Sequence, residues 1–234
     1  MRAATFPRRK PVSRYHHGDL RRALLEEAVR TIRKDGVEAL TLREAGRRLG
    51  VSRTALYRHF ADKSALLAAV AREGFQRFRQ DLIDAWDTGG RNRRGFEQMG
   101  IAYVRFALAN PSHYRVMFGG FRHLCDRDPA LRADAAAAFQ VLVDAIVMLQ
   151  NSGEMRRDDP RQLAQFIWAS VHGVAMLAMD GQLGPDPSSA DALIDFALRR
   201  LATGTDLDER RAASGQAGQG RGRGQIPVIT GMRI

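Results

Sequence analysis

Apolar residues recur at helical spacing along nearly the whole sequence, and this periodicity limits the fold more than any other feature. Leu24, Ala28 and Ile32 form one such row near the N-terminus, as the buried face of an α-helix does. No segment of useful length alternates apolar and polar residues in the manner of a half-buried strand. With 44% hydrophobic residues, the chain can bury a core, and we predict an all-α protein.

Glycine, proline and capping residues divide this pattern into separate predicted helices. The N-terminal part is predicted to contain helices over residues 20–34, 41–49 and 52–60. A fourth is predicted to start at Asp62 or Ser64 and to run towards Trp86. After a break at "TGGRNRRG" (88–95), the later helices are predicted at roughly 95–109, 111–119, 129–151, 160–180 and 188–202. Short turns join the first three helices, so we expect a small bundle. Its predicted core consists of Leu24, Ala28, Ile32, Leu42, Leu49, Leu56 and Phe60.

Positive charge is concentrated in the N-terminal part of the chain. Residues 1–63 contain 16 Lys and Arg against 7 Asp and Glu, whereas residues 64–203 contain 16 of each kind. The net charge of +11 therefore comes mainly from one module, which favours a polyanionic partner such as nucleic acid. An anionic membrane surface would also fit this charge. The single cysteine, Cys125, excludes an internal disulfide and suits a reducing cytoplasm.

The predicted helix over residues 52–60 is short and polar, and it follows another helix after a tight turn. Leu56 and Phe60 share one face and would pin the helix to the bundle, whereas Thr54 and Arg58 point away from that face. This is the helix-turn-helix arrangement, in which the second helix enters the DNA major groove. The alternative is an ordinary solvated surface helix.

The polar side chains around this helix suit contacts with both bases and phosphates. The candidate DNA-binding residues are Thr41, Arg43, Ser52, Arg53, Thr54, Ala55, Tyr57, Arg58, His59 and Lys63. Arg43 and Arg53 can donate bidentately to guanine, and Thr54 or Ala55 can contact a thymine methyl group. Phosphate contacts fix register without reading sequence. The side chains that suit them are Thr41, Tyr57, His59 and Lys63.

The segment 160–180 is apolar on nearly every side, and a helix of that kind is buried on every side. A membrane span is the alternative, but the run is only marginally long enough, and Gln165, Ser170 and His172 interrupt it. We predict that one face lies in the protomer core and that another lies against a second subunit. The chain is therefore expected to form a homodimer and not to span a membrane.

Aromatic and thioether side chains in the C-terminal part indicate a pocket for a small apolar or aromatic effector. Trp168 and His172 are four residues apart on one helical face, and His172 would be the polar group of the pocket. The candidate lining residues are Tyr103, Phe106, Tyr114, Met117, Phe118, Phe139, Trp168, His172 and Met176. The alternative is an ordinary core in which His172 is a buried structural histidine.

The other reactive side chains do not have the spacing of a metal site or a catalytic site. His16 and His17 are adjacent, cannot easily bind one metal ion through both rings, and have no third ligand nearby. His123 and Cys125 lie on a predicted loop without an orienting acid. We predict no metal, no cofactor and no catalytic residue. An enzyme on a helical scaffold remains a remote alternative that would need a convergent acid–base set.

The stretch "TLREAGRRLGVSRTALYRHFADKSALLAAV" resembles the DNA-binding domain of the TetR family of bacterial transcriptional regulators. The resemblance covers roughly residues 18–78, and its run Leu-Tyr-x-x-Phe-x-x-Lys is far more specific than a bare helix-turn-helix spacing. The segment "YHHGDLRRALLEEA" and the later "WASVHG" resemble a TetR subgroup with a Trp-His-Gly signature in its C-terminal domain. Gly46 departs from the family's usual alanine and should loosen its helix by about 1 kcal/mol.

This resemblance implies an all-helical homodimer with two domains. A DNA-binding domain would occupy residues 18–78, with its helix-turn-helix at about 41–60, and a ligand-binding and dimerisation domain would occupy residues 79–203. Dimerisation is expected through helices near 160–180 and 188–202. Residues 1–17 are predicted to form a basic, flexible arm, and the Gly-rich residues 204–234 a disordered tail.

The resemblance also implies a function for the chain. It would act in the cytoplasm, associated with the nucleoid, most often as a repressor that leaves a palindromic operator when an effector binds. By this likeness the candidate base readers are Arg43, Arg53, Thr54 and Tyr57, and the candidate phosphate contacts are Thr41, His59 and Lys63. A DNA-binding regulator or architectural factor without a small-molecule effector is the alternative.

Overall fold

The structure is a computed structural model that describes residues 17–119, 122–184 and 188–203. Within those residues it contains ten α-helices and no strand. The helices are α1 (His17–Asp35), α2 (Leu42–Arg48), α3 (Arg53–His59), α4 (Lys63–Thr88), α5 (Arg93–Ala109), α6 (Pro111–Phe118), α7 (Arg122–Arg127), α8 (Pro129–Ser152), α9 (Pro160–Met179) and α10 (Ser188–Thr203). The all-α prediction is confirmed.

Most predicted helices are found within two residues of their expected ends. The exception is α7. The prediction of a loop around His123 and Cys125 is wrong, because these residues lie in this helix. The segment is six residues long, and Leu124 is a fully buried side chain within it. A single buried residue gives no periodicity to detect. Residues 1–16 and 204–234, which include most of the predicted arm and all of the predicted tail, lie outside the described residues.

The first three helices form the predicted bundle, and its predicted core is buried except for Leu49, which is partly buried. Side chains at the helix starts define each boundary. The Thr41 Oγ accepts a hydrogen bond from the Glu44 N–H at 3.2 Å, and the Ser52 Oγ accepts one from the Ala55 N–H at 3.2 Å. Such caps satisfy backbone donors that have no partner within the helix. They fix where α2 and α3 begin.

The turn between α2 and α3 is tight because Gly50 adopts a φ of +67°, a conformation that glycine tolerates best. The Val51 N–H donates to the Gly46 carbonyl at 3.0 Å and closes the turn. The Glu44 carboxylate accepts from Arg47 and Arg48. These bonds direct the Glu44 side chain along α2.

A buried carboxylate joins α1 to α2. Glu27 is only 1% exposed, and its Oε1 accepts hydrogen bonds from Arg48 Nη1 at 3.2 Å and from Thr31 Oγ1 at 3.3 Å. Arg30 pairs with its other oxygen. Removing one partner of a buried ion pair costs about 3–5 kcal/mol. This cluster therefore holds α2 in a defined position against α1.

The long helix α4 packs against α1 of the N-terminal bundle and against helices of the C-terminal part. It contacts α1, and it also contacts α5, α6, α7 and α8. Between α4 and α5 the chain turns at residues 89–92, where Gly90 and Arg91 have positive φ. Gly89 lies so close to Gly95 that a Cβ on it would be 2.3 Å from the Gly95 Cα. This close approach explains the glycine-rich break in the helical pattern.

Helices α8, α9 and α10 complete the C-terminal bundle. By length and composition alone α8 and α9 could cross a membrane, a test that core helices of water-soluble proteins also pass. Here α8 packs on α4, and α9 packs on α5, α8 and α10. The inner face of α9 buries Ala164, Ile167, Val171, Val174 and Ala175. That burial agrees with the prediction that one face of this helix lies in the core.

Candidate nucleic-acid interface and ligand cavity

Helix α3 is pinned to the bundle by a few side chains. Leu56 is 2% exposed and Phe60, its C-cap residue, is 4% exposed. Leu56 packs over Gly46 of α2, since a Cβ added at Gly46 would lie 3.2 Å from Leu56 Cδ2. Because Gly46 has no side chain, the two short helices approach closely. The opposite face of α3 is left outside the bundle.

The outward face of α3 presents polar side chains to solvent. Arg53, Thr54 and Arg58 are exposed, and Tyr57 is 44% exposed. The Arg53 guanidinium lies 5.5 Å from the centre of the Tyr57 ring, a cation–π distance that holds both groups on one face. A seven-residue helix of this shape fits the major groove, which is about 12 Å wide.

The other candidate DNA-binding residues surround this face. Thr41, Arg43 and Ser52 are exposed, whereas Ala55 and His59 are partly buried. Lys63 begins α4, and its Nζ donates to the Glu38 carbonyl at 3.3 Å. An ammonium group has three donors, so this bond leaves Lys63 able to donate to a phosphate. The structure thus brings all ten predicted residues to one region, α2 through the start of α4.

Glu44 is the acidic residue of α2, and its charge is offset locally. Side-chain hydrogen bonds from Arg47 and Arg48 lower the pKa of Glu44 to about 2. Its carboxylate therefore stays ionised and paired at neutral pH. The exposed Arg47 side chain is engaged in an ion pair with Glu44.

A cavity of about 310 Å³ lies in the C-terminal bundle between α4, α5, α8 and α9. Helix α4 contributes Phe75, Phe78 and Leu82 to its wall. The sequence did not single out these residues, although their spacing of three and four is that of one helical face. That spacing is equally typical of an ordinary core, and only the packing of α8 and α9 shows that a space remains.

Five of the predicted pocket residues line this cavity, namely Tyr103, Met117, Phe118, Phe139 and Trp168. The other four lie elsewhere. Phe106 is buried against Phe78 at a ring distance of 5.2 Å, and Met176 is 40% exposed on the surface of α9. Tyr114 and His172 sit behind the wall, hydrogen-bonded to Tyr103. His172 is thus hydrogen-bonded to a lining residue, Tyr103, and is not itself among the residues that line the cavity.

Four side chains form a hydrogen-bonded group at this wall, which we call the Tyr–His cluster: Tyr103, Tyr114, Trp168 and His172. The Trp168 N–H donates to the Tyr103 oxygen at 3.0 Å. His172 Nδ1 lies 2.9 Å from the Tyr103 oxygen and 2.7 Å from the Tyr114 oxygen. Burial lowers the pKa of His172 and raises the pKa of Tyr103 to about 12. The cluster is therefore uncharged at neutral pH.

The remaining reactive groups show no further site in the described part of the chain. Cys125 is partly buried on α7 and lines the cavity, whereas His123 is exposed on the same helix. Within residues 17–119, 122–184 and 188–203, no three His, Cys, Asp or Glu side chains are grouped to hold a metal ion.

These features define a class of protein: a helical chain that presents a helix-turn-helix at one end and a ligand-sized cavity at the other. The family model for bacterial regulatory proteins of the tetR family matches residues 24–70. The model for a tetracyclin repressor-like C-terminal domain matches residues 96–201. Together the matches cover more than half of the sequence. The chain belongs to the TetR family and is a DNA-binding transcriptional regulator.

Comparison with individual proteins agrees with this assignment. The HTH-type transcriptional repressor Rv1474c of Mycobacterium tuberculosis (strain ATCC 25618 / H37Rv) is 39% identical over 66 residues, which is 28% of this chain and 35% of that relative. The match thus spans about a third of the curated relative's length.

Two solved structures share this fold over most of the chain. A protein of unknown function from Rhodococcus sp. RHA1 is 34% identical, with a TM-score of 0.74 over 82% of this chain and 98% of that one. The TetR family transcriptional regulator PfmR from Thermus thermophilus has a TM-score of 0.62 over 76% of this chain and 96% of its own. Its identity of 18% supports the fold alone.

Proposed function

We propose that this regulator is a repressor that acts as a homodimer on a palindromic operator and is released by a small apolar or aromatic effector. The observation that carries the proposal is the course of α4. Its first residue, Lys63, follows the end of α3 after residues 60–62, and its later residues Phe75, Phe78 and Leu82 line the cavity. A ligand that shifts α4 would therefore move the DNA-binding helices.

In this proposal the exposed residues divide into two groups. Arg53, Thr54 and Tyr57 are exposed on α3 and Arg43 is exposed on α2. These four are the proposed base readers. Thr41, His59 and Lys63 fix the position on the backbone, and Ser52 and Arg58 are further DNA contacts of either kind. Ala55, partly buried, would reach a thymine methyl only at the edge of the outward face of α3.

The homodimer is supported by an apolar surface on α9 and α10. Phe166 is 59% exposed and Phe196 is 50% exposed, and Met176 and Leu177 are each 40% exposed. Because α9 and α10 pack on each other, several large exposed apolar residues on these two helices favour an interaction surface. Two copies joined through this surface would present two α3 helices. A palindromic operator with half-sites one DNA turn apart, or a multiple of it, would match this symmetry.

The proposed domain division follows the expected boundary, with DNA binding in residues 18–78 and ligand binding and dimerisation in residues 79–203. Because α4 (Lys63–Thr88) runs across that boundary without a break, the two parts are mechanically connected. We place the protein in the cytoplasm, at the nucleoid, and we assign it no catalytic role. A regulator or architectural factor without an effector is the second candidate, and ligand-dependent stabilisation separates the two.

Selection of genomic fragments by the purified protein tests the proposal, followed by footprinting of the best fragment. We expect a protected site with dyad symmetry. Protection of a single half-site, or of sequences without symmetry, would contradict the dimer. Binding that is equal on selected and random DNA would contradict the role of a specific repressor. Release of the fragment by an effector is a separate readout.

A further inference from the structure

The cavity has the size of a two-ring aromatic molecule. Its volume is about 310 Å³, roughly twice the 150 Å³ of an engineered apolar cavity that binds benzene. Seven of its lining residues are aromatic, and Met99 and Met117 add thioether groups. Such walls make favourable edge and face contacts with flat rings. The size of the cavity and the chemistry of its wall therefore favour an aromatic ligand.

None of the described residues that line the cavity carries a formal charge. A charged group on a ligand would therefore lose its hydration without gaining an ionic partner among these residues. Burial of an unpaired charge is expensive. The ligand that fits this wall is uncharged.

The polar groups at the wall already bind one another. Tyr103 and Trp168 both line the cavity, and the Trp168 N–H is committed to the Tyr103 oxygen at 3.0 Å. The Tyr103 oxygen also lies 3.1 Å from the Tyr114 hydroxyl and 2.9 Å from His172 Nδ1. It therefore has three polar neighbours within the protein, which fills the positions around a phenolic oxygen.

A ligand group that sought a hydrogen bond here would have to break one of these internal bonds. It would leave a donor or acceptor at the wall without its partner, which weakens binding. The other lining residue with a polar hydrogen is Cys125, and an S–H group is a weak donor. The described wall thus accepts hydrocarbon surface more readily than polar surface.

We propose that the effector is an uncharged, hydrocarbon-like aromatic molecule of about two fused rings, and that the closed Tyr–His cluster selects it against polar and charged analogues. The inference rests on the proposed ligand response and specifies its chemistry. Two lining residues, Tyr103 and Trp168, carry the selectivity. Tyr114 and His172 hold Tyr103 in place from behind the wall.

Three probes of similar shape test this selectivity: 2-isopropylnaphthalene, 2-acetylnaphthalene and 2-naphthoate. Their dissociation constants for the full chain are measured by calorimetry at pH 7. We expect the hydrocarbon to bind most tightly, the ketone roughly 5- to 100-fold more weakly, and the carboxylate most weakly of the three. Tighter or equal binding of the ketone or the carboxylate, or no binding of any probe, would overturn the inference.

Tyr103→Phe gives a sharper test because it removes the acceptor of the Trp168 N–H. The indole then stands at the wall without its partner, and a ligand carbonyl can take that place. The ketone should gain about tenfold relative to the hydrocarbon. Tyr114→Phe is the matched control, because Tyr103 still accepts from Trp168 in that variant. An unchanged ratio in Tyr103→Phe, or an equal gain in Tyr114→Phe, would contradict the role of the cluster.

Operator binding is measured in parallel. This distinguishes a failure of the proposed ligand response from a failure of the inference about ligand chemistry. If the hydrocarbon binds in the expected order but leaves operator affinity unchanged, the proposed ligand response is wrong and the cavity chemistry stands. If another compound releases the operator while the hydrocarbon does not bind, the ligand response stands and the inference about its chemistry is wrong.

Discussion

Replacement of Leu56 by alanine should unfold the DNA-reading helix selectively. Helix α3 has seven residues, of which Leu56 is the buried one, and Phe60 follows directly as the C-cap. The substitution removes three carbons from a side chain that is 2% exposed and packs on Gly46 of α2. Leucine-to-alanine changes at such sites cost about 2–5 kcal/mol. Isolated seven-residue helices are unstable in water. The lost packing free energy therefore destabilises α3 itself.

Hydrogen exchange measures this effect better than denaturant unfolding, since a chain with two domains need not unfold in one step. The opening free energy of the amides in residues 53–59 should fall by about 2–5 kcal/mol. Operator affinity should fall with it, while ligand binding in the cavity is retained. Thr54→Ala is the matched control because Thr54 is exposed, and surface changes are usually within about 0.5 kcal/mol. A Leu56→Ala variant that resembles Thr54→Ala in exchange would refute the proposed anchoring.

Three further predictions concern contacts, assembly and pH. Arg53→Ala should relax base discrimination at one operator position by about 1–3 kcal/mol. Lys63→Ala should weaken binding to all DNA sequences similarly and lower the slope of log affinity against log salt by about one. Equal losses of affinity for operator and random DNA in both variants would contradict this division. Phe166→Glu should shift the dimer towards monomer in sedimentation, because Phe166 is 59% exposed on the proposed interface; an unchanged mass would contradict that surface. Burial is the main cause that lowers the pKa of His113 and of His172 below the ordinary 6.5. The unfolded chain therefore binds more protons than the folded one as the pH falls below about 6.5, and the free energy of unfolding should decrease there. The decrease should be smaller in His113→Asn, as measured by thermal melting across pH.

The outward and inward faces of α3 could be predicted from the sequence because they depend on local periodicity. Leu56 and Phe60 are four residues apart, and any helix through them places Thr54 and Arg58 on the other side. The cap residues Thr41 and Ser52 are also local signals. These features need no knowledge of the rest of the fold.

Features that depend on distant packing could not be predicted. Glu27 has the sequence context of a surface residue beside Arg30, yet it is buried because Arg48 of α2 reaches it. Phe78 and Leu82 have the spacing of core residues, and only the placement of α8 and α9 leaves a cavity beside them. His172 was expected in the pocket, but it binds Tyr103 and Tyr114 behind the wall.

Photo-crosslinking from α3 to an operator duplex tests the central idea most directly. A benzophenone amino acid replaces Tyr57, which is exposed on α3, and in a control protein it replaces Gln98, which is exposed on α5. We predict that the complex cross-links from position 57 to bases within each half-site and gives no cross-link from position 98. DNA that binds the protein but cross-links from position 98, or from neither position, would contradict an operator read by the outward face of α3.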